Sequence, residues 1–307
     1  MGVKDLTAVI RKHAPSAIQE IQPSALQGKV IAVDAAIVLN QFIHKCDGDS
    51  KRLVIGLFQR TANLIGNGLQ LVYVFEGKPP ASKQAELNRR NERQSHSERP
   101  RLSSKQVDEC KALLGLMGVP YIDAPGEAES QCVELVKKGK CHAVASEDLD
   151  VLPLGGEVLI RSLKFSSDHP TATKIVLSQV LLQMNLTHDS FVDLCILLGC
   201  DYADKIPNIG KAKAVEKIQH YKTIENILST LDYREHPVAK NWMFQVEDAR
   251  RTFKHPVVHD ANSIKLRWNL PQKEKLLDLL CEQCGDSESA VRKKLDLLEG
   301  QNVYKYL

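Results

Sequence analysis

The sequence predicts an α/β fold built around a mostly parallel β-sheet. Five short apolar runs, at residues 29–34, 69–75, 118–122, 142–145 and 158–161, have the length and bounds of strands. Several are continuously apolar rather than alternating, which is typical of parallel strands covered on both faces. Segments with helical periodicity separate the runs, and from about residue 175 the helical period continues to the end. A helical C-terminal region is therefore expected.

The elements follow one another in a simple order along the chain. Helices are predicted at 3–12, from the end of the first strand to about residue 44, at 53–65, from a Ser103-x-x-Gln106 capping box to about 117, and at 129–138. Residues 81–101 contain hardly any apolar side chain and many cations. Such a run is either a solvated connector or a phosphate-binding arm.

Composition places the chain among ordinary globular proteins, with 43% apolar and 26% charged residues. It contains no apolar run long enough to span a membrane and no signal-peptide pattern, so we expect no membrane association. Eight cysteines without a secretory signal indicate reduced thiols and an intracellular location. Cys281 and Cys284 have zinc-like spacing, but no second such pair accompanies them, and we expect no zinc site there.

Acidic residues stand at or just beyond the ends of three predicted strands. These are Asp34, Glu76 and Asp148. The carboxyl ends of parallel strands meet at one edge of a sheet, where ligands bind, so the three acids should converge. Two carboxylates ~4 Å apart repel by about 4 kcal/mol at an effective dielectric near 20. Such a cluster takes up protons or binds a hard cation such as Mg²⁺ or Mn²⁺, unless its members are solvated separately.

Further acids and a candidate phosphate site lie nearby in the sequence. Glu127, Glu129 and Asp150 flank the strand at 142–145, and Asp201 closes an apolar helix, where the helix dipole disfavours a negative charge. Residues 206–214 then form a glycine-containing turn that leads into a helix with lysines in its first turn. Exposed amides and the dipole of such a helix bind phosphate without reading base sequence. Removing seven carboxylates from the formal net charge of +3 leaves a body of +10, which suits a polyanionic substrate.

Six dispersed motifs together resemble the flap endonucleases of the XPG-type 5′-nuclease superfamily. They are VIAVDA, VFEGKPP, APGEAES, SEDLD, LLGCDY and IPNIGKAKA, in matching order over about residues 1–295. The resemblance implies one nuclease domain over 1–307, with a central mixed sheet flanked by helices. Within it, it implies an arch segment at 77–106, a helix-two-turn-helix DNA-binding module at 189–232 and a helical part at 233–307.

The resemblance also implies the functional residues. Seven carboxylates would hold two Mg²⁺ ions, with Mn²⁺ as a substitute: Asp34, Glu76, Glu127, Glu129, Asp148, Asp150 and Asp201. Two ions about 4 Å apart activate a water and stabilise the leaving oxygen of an in-line displacement. Lys83 and Arg90 would act in catalysis by neutralising the scissile phosphate. Asp148 would be catalytic as well as a metal ligand. DNA would be bound by these two cations and by Gly2, Arg60, Gly210, Lys211 and Lys213, with a K⁺ ion at the helix-two-turn-helix.

The implied function is a structure-specific 5′ flap endonuclease and 5′–3′ exonuclease on branched DNA, acting in replication, repair or recombination. Three departures leave a Holliday-junction resolvase of the same superfamily open: Glu76 replaces the usual Asp, Asn40 replaces a stacking aromatic residue, and the arch is short. A catalytically silent DNA-binding scaffold is the third alternative, although all seven acids are intact. Residues 301–307 are not a convincing sliding-clamp peptide, and we expect a nuclear or other replication-associated location.

Overall fold

A computed structural model describes residues 2–78, 83, 100–163 and 171–300 of the chain. Its centre is a seven-stranded sheet with the order β1-β7-β6-β5-β2-β3-β4. The strands are β1 (Ile18–Ile21), β2 (Val30–Asp34), β3 (Gln70–Phe75), β4 (Tyr121–Asp123), β5 (Ala143–Ala145), β6 (Val158–Arg161) and β7 (Ala172–Val176). Strands β6, β5, β2, β3 and β4 are parallel neighbours, whereas β7 pairs antiparallel with both β6 and β1. The predicted mixed, mostly parallel sheet is confirmed.

Twelve α-helices surround the sheet in the described part of the chain. They are α1 (Leu6–His13), α2 (Ala35–Lys45), α3 (Ser50–Gly66), α4 (Ser104–Leu116), α5 (Ala128–Lys137), α6 (Leu177–Met184), α7 (His188–Leu198), α8 (Lys211–Tyr221), α9 (Ile224–Leu228), α10 (Trp242–Lys254), α11 (Lys273–Leu277) and α12 (Glu288–Gly300). The predicted capping box at Ser103 and Gln106 starts α4. No helix in the described ranges is both long enough and apolar enough to cross a bilayer.

Two hydrophobic cores lie on opposite faces of the sheet, because side chains alternate along each strand. Ile31 and Val33 of β2 pack with Leu57 of α3 and Leu113 of α4 on one face. Ala32 packs on the other face, in a core with helices α1, α5, α6 and α7. The sheet is thus covered on both sides, as its apolar strands predicted, and its carboxyl edge is left to present polar side chains.

An ion-pair network joins the helices on the side of the predicted DNA-binding module. The guanidinium of Arg250 on α10 donates to both carboxylate oxygens of Asp193 on α7, at 2.7 Å each. It also donates to Glu225 on α9 at 2.6 Å and to Glu247 at 2.8 Å. Asp193 is 4% exposed and also accepts a bond from the backbone N–H of Ile224. One arginine therefore holds three helices together.

The structure corrects several predicted elements. Strand β4 begins at Tyr121 rather than 118, because Gly118 has a left-handed φ of +71° and Pro120 has no N–H to donate. Helix α1 begins at Leu6 rather than residue 3. Residues 255–272 were expected to be helical but contain only a short 3-10 turn, Ala261–Ser263, since their backbone bonds to residues 116 and 118 instead. The antiparallel strands β1 and β7 were not predicted.

Some predictions concern residues outside those described. Arg90, most of the arch segment and the tail at 301–307 belong to this group. Cys281 and Cys284, where the sequence predicts no zinc site, are both half-buried. Cys281 lies in the π-helical segment Asp278–Gln283, and Cys284 is the residue that caps this segment. All eight cysteines are free.

Candidate metal and nucleic-acid site

Three neighbouring parallel strands deliver three acids to one edge of the sheet. Asp34 is the last residue of β2, Glu76 follows β3, and Asp148 follows β5 by three residues. Strand β2 lies between β5 and β3, so these acids are spatial neighbours. Asp34 is 2% exposed and also begins α2, where its carboxylate accepts a bond from the N–H of Ile37 at 3.3 Å. The predicted convergence of the three acids is confirmed.

Ser146, which the sequence did not single out, connects two of these acids. Its hydroxyl donates to Asp34 Oδ2 at 3.1 Å and accepts from the backbone N–H of Asp148 at 3.0 Å. The loop after β5 is thereby fixed against the end of β2. A serine between two acidic strand ends gives no distinctive sequence signal, and only the fold reveals its role.

The start of α5 supplies two more acids. Glu127 caps the helix and Glu129 lies in its first turn, and the two side chains are 5% and 4% exposed. Residues two apart on a regular helix do not share a face. Because Glu127 precedes the helix, as expected from the sequence, both carboxylates can nevertheless face the same site.

The N-terminal segment closes the site from another direction. Val3 donates its N–H to Asp150 Oδ1 at 2.8 Å, and Lys4 donates to the carbonyl of Gly199 at 3.0 Å. Gly2 has a φ of +78°, and a Cβ built on it would collide with the Asp148 carboxylate. A residue with no side chain is therefore required where the chain passes these acids, and the structure places Gly2 beside the cluster. Its contact with DNA stays a prediction.

A buried lysine lies among the acids. The Lys83 ammonium bonds to Glu127 and lies 3.9 Å from Glu129 Oε1 and 3.6 Å from Asp201 Oδ2. The lysine is 8% exposed. The sequence around the acidic stretch contains no adjacent cation, and this one comes from a residue 44 positions before Glu127. It partly neutralises the side of the cluster formed by α5 and the loop after α7.

Burial and mutual repulsion shift the pKa values of several of the acids upward. Burial, followed by repulsion from Glu76, raises the pKa of Asp34 to about 7. Burial and neighbouring carboxylates raise the pKa of Glu129 and that of Asp150 well above their usual range. Burial also raises the pKa of Asp148. Burial opposes the charge of Lys83, but Glu127 and Glu129 outweigh it and raise the lysine pKa.

The donor set fits a hard divalent cation. All of the candidate ligands are carboxylates, the oxygen donors that Mg²⁺ and Mn²⁺ prefer. One buried oxygen, Asp150 Oδ2, has no hydrogen-bond partner in the described part of the chain. Among the described residues, no group of three acids has the spacing needed to coordinate one metal ion. The Lys83 ammonium lies between three of the acids, Glu127, Glu129 and Asp201. An incoming cation must therefore compete with Lys83 or shift its neighbours.

The predicted phosphate-binding helix contacts the N-terminal segment that also passes the acids. Gly210 caps α8, and Lys211 and Lys213 are exposed in its first turn. Lys211 lies 3.6 Å from Asp5 of the N-terminal segment, which also passes the acid cluster. The turn before the helix is braced by Asn208, whose side-chain amide donates to the carbonyl of Glu235 at 2.7 Å. Exposed lysines at a helix N-terminus are suited to a phosphate backbone.

Arg60 faces a separate cavity of about 730 Å³ between α2, α3 and the loops after β5 and β6. Gln41, Lys45 and Ser162 also line it, and the Arg60 Nε is buried with no hydrogen-bond partner among the described residues. Glu147 points to this side, where it accepts from the Ser162 N–H at 2.6 Å. Glu147 therefore belongs to this cavity and not to the cluster of seven acids.

Comparisons with known proteins agree with this architecture. Residues 1–97 match the XPG N-terminal domain and residues 118–201 the XPG I-region. The chain is 37% identical to flap endonuclease 1 of Nematostella vectensis, over 95% of this chain and 85% of the relative. It is 38% identical to flap endonuclease 1 of Danio rerio with the same coverage.

Solved structures share the fold over nearly the whole chain. The catalytic core of Rad2 in complex with DNA substrate matches with a TM-score of 0.82 and 22% identity, over 97% of this chain and 100% of that one. Flap endonuclease-1 from Methanococcus jannaschii matches with a TM-score of 0.75 and 26% identity, over 94% and 97%. Human GEN1 in complex with Holliday junction DNA matches with a TM-score of 0.71 and 22% identity, over 97% and 77%. On the strength of the curated relatives, this chain belongs to the flap endonuclease family of XPG-type nucleases.

Proposed function

We propose that this flap endonuclease hydrolyses phosphodiester bonds of branched DNA next to a junction between single and double strands. The observation that carries the proposal is the buried carboxylate cluster at the sheet edge, with a lysine-bearing helix N-terminus that contacts the N-terminal segment passing the cluster. Acids that repel one another have no structural use at such density, so they favour an active nuclease over a silent scaffold. The relatives named flap endonuclease 1 favour a 5′ flap as the substrate.

The acids would hold two Mg²⁺ ions, which when bound would supply the nucleophile and stabilise the leaving oxygen. Asp34, Asp148 and Asp150 are well placed for this, since their carboxylates accept hydrogen bonds from the Ser146 hydroxyl, the Asp150 N–H and the Val3 N–H respectively. Lys83 would neutralise charge on the scissile phosphate once it is released from Glu127. Arg90, outside the described residues, is proposed for the same task.

The DNA duplex would be held by its backbone rather than by its bases. Gly210, Lys211 and Lys213 would bind one strand, with K⁺ at the preceding turn, and Arg60 would contact a second segment through its cavity. We place this activity at an intracellular site of DNA replication or repair, such as the nucleus.

A junction resolvase is the second candidate. Glu76 lies in the acid cluster, where its side chain is one methylene longer than the usual aspartate, and Asn40 offers no aromatic platform for a base. The longer side chain of Glu76 would change the geometry of the metal site, and the loss of stacking at Asn40 would weaken selection of a base next to a flap. Without that selection, a continuous strand of a four-way junction is a more acceptable substrate.

Cleavage of a 5′ flap, a nicked duplex and a four-way junction, each with Mg²⁺ and with chelator, tests the proposal. We expect metal-dependent cutting, strongest on the flap, and symmetric nicking of the four-way junction would favour the resolvase instead. Asp148→Asn should abolish cleavage while DNA binding is kept or improved, because one repelling charge is removed. Asp248→Asn, an exposed acid on α10, is the matched control and should cut normally. Unchanged turnover in Asp148→Asn would refute the assignment of the acids.

A further inference from the structure

Tyr202 follows Asp201 and reaches across to the start of α5. Its hydroxyl donates to Glu127 Oε2 at 2.6 Å, and the two residues are 6% and 5% exposed. An O–H···O distance of this length is typical of a charge-assisted hydrogen bond, which is stronger than a neutral one. The orientation of the Glu127 carboxylate is therefore set by a tyrosine on the loop that carries another acid of the cluster.

The other oxygen of Glu127 has a different partner. Oε1 bonds to the Lys83 ammonium, and that ammonium lies 6.0 Å from the centre of the Tyr202 ring. Among the described residues, each carboxylate oxygen thus has one donor, a neutral hydroxyl on Oε2 and a cation on Oε1. A divalent cation can take the place of an ammonium beside a carboxylate, because both supply positive charge. The hydroxyl on Oε2 uses one of that oxygen's lone pairs and holds the carboxylate in place. Oε1 is therefore the oxygen whose charged partner a cation can replace.

The ring of Tyr202 is anchored independently of its hydroxyl. It packs edge-on against Phe253 of α10, with ring centres 5.2 Å apart, and Phe253 is fully buried. Edge-to-face pairs of this kind contribute beyond the area they bury. Removal of the hydroxyl should therefore leave the ring in place and free only the carboxylate.

We propose that Tyr202 is a positioning residue that holds Glu127 so that one oxygen, Oε1, passes between Lys83 and a divalent cation. The inference rests on the proposed function, because it assumes that the acid cluster is a metal site. Its consequence is a coupling: cation binding at Oε1 releases Lys83 from Glu127, and the freed ammonium becomes available to a phosphate. Without the tyrosine, Glu127 can rotate, and neither partner finds a fixed oxygen.

Mn²⁺ binding to the full chain without DNA, measured by calorimetry, tests this proposal separately from catalysis. Tyr202→Phe should weaken binding by about tenfold, since loss of a hydrogen bond that orients a ligand typically costs 10–100-fold in affinity. Tyr73→Phe is the matched control: its hydroxyl is also buried, 2.8 Å from Thr61 Oγ1, but outside the cluster. It should bind Mn²⁺ as the wild type does. An affinity of Tyr202→Phe within about twofold of wild type would overturn the proposal.

A second variant examines the exchange itself and does not depend on Tyr202→Phe folding. Lys83→Met removes the competing ammonium and should bind Mn²⁺ more tightly than the wild type, whereas unchanged or weaker binding would overturn the shared oxygen. Asp148→Asn separates this inference from the function beneath it. If Asp148→Asn loses Mn²⁺ binding and Tyr202→Phe binds as the wild type does, the positioning role of Tyr202 is rejected and the metal site is kept. Failure of the wild type to bind Mn²⁺ would reject both.

Discussion

The pKa of Asp34 predicts how the stability of the metal-free protein depends on pH. Burial and the charge of Glu76 raise this pKa from 3.8 to about 7 in the folded state. Between these values the unfolded chain releases a proton that the folded protein retains. The stabilising contribution is therefore complete below about pH 4 and is lost as the pH rises to about 7. The rise from 3.8 to about 7 changes the proton affinity of Asp34 by roughly a thousandfold, and each tenfold change in affinity corresponds to about 1.36 kcal/mol. The loss in the free energy of unfolding therefore amounts to roughly 4 kcal/mol.

Urea unfolding in chelator, followed from about pH 4.5 to about pH 7.5, measures this loss. The wild type should lose stability as the pH rises, and Asp34→Asn, which cannot ionise, should lose less by an amount of that order. The other buried acids shift in the same direction, so the variant keeps part of the slope. Saturating Mn²⁺ should remove the loss in the wild type, because a bound cation favours the ionised acids.

Parallel pH curves for the wild type and Asp34→Asn would refute this reasoning. Asp248→Asn serves as the control, since its carboxylate is about half exposed and lies on α10. It should follow the wild-type curve. A rise in wild-type stability between about pH 4 and about pH 7 in chelator would have the wrong sign and would show that the acids are not buried as a group.

Three further predictions concern other parts of the site and its support. Gly2→Ala should slow single-turnover flap cleavage by about 100-fold, because its Cβ would displace the Asp148 carboxylate; a wild-type rate would contradict the close approach. Arg250→Met should lower the free energy of unfolding by about 3 kcal/mol, since it leaves the buried Asp193 without its cation, and urea titration measures this. Asn40→Tyr should raise the ratio of flap to four-way-junction cleavage through ~1–3 kcal/mol of stacking, and an unchanged ratio would count against it.

The parallel part of the fold could be predicted because its strands are short apolar runs with both faces covered. Strands β2, β3, β5 and β6 lie within one residue of their predicted bounds. The antiparallel strands β1 and β7 could not be predicted in this way, because each is only partly buried and mixes polar with apolar residues without a clear strand period. Their assignment depends on pairing with each other across about 150 residues, which a local pattern does not reveal.

The convergence of Asp34, Glu76 and Asp148 could likewise be predicted, since each lies at or just beyond the end of a parallel strand. Their supporting residues could not. Ser146 and Tyr202 act through single hydrogen bonds to acids on other elements, and nothing in their local sequence distinguishes them from ordinary loop residues. Lys83 was predicted as a phosphate-neutralising cation, but its contacts with Glu127 and Asp201 depend on how a distant segment folds back.

The contacts of the N-terminal segment have a consequence for protein synthesis. The third residue of the chain bonds to Asp150, the fourth to Gly199, and the fifth lies beside Lys211. These partners are synthesised long after the segment itself, so the native contacts of the segment cannot form until they are present. Contacts this far apart in sequence form late in folding. A polypeptide whose synthesis stops before Asp201 lacks both an acid of the cluster and helix α8, for which we propose DNA binding, and we expect such fragments to leave DNA intact.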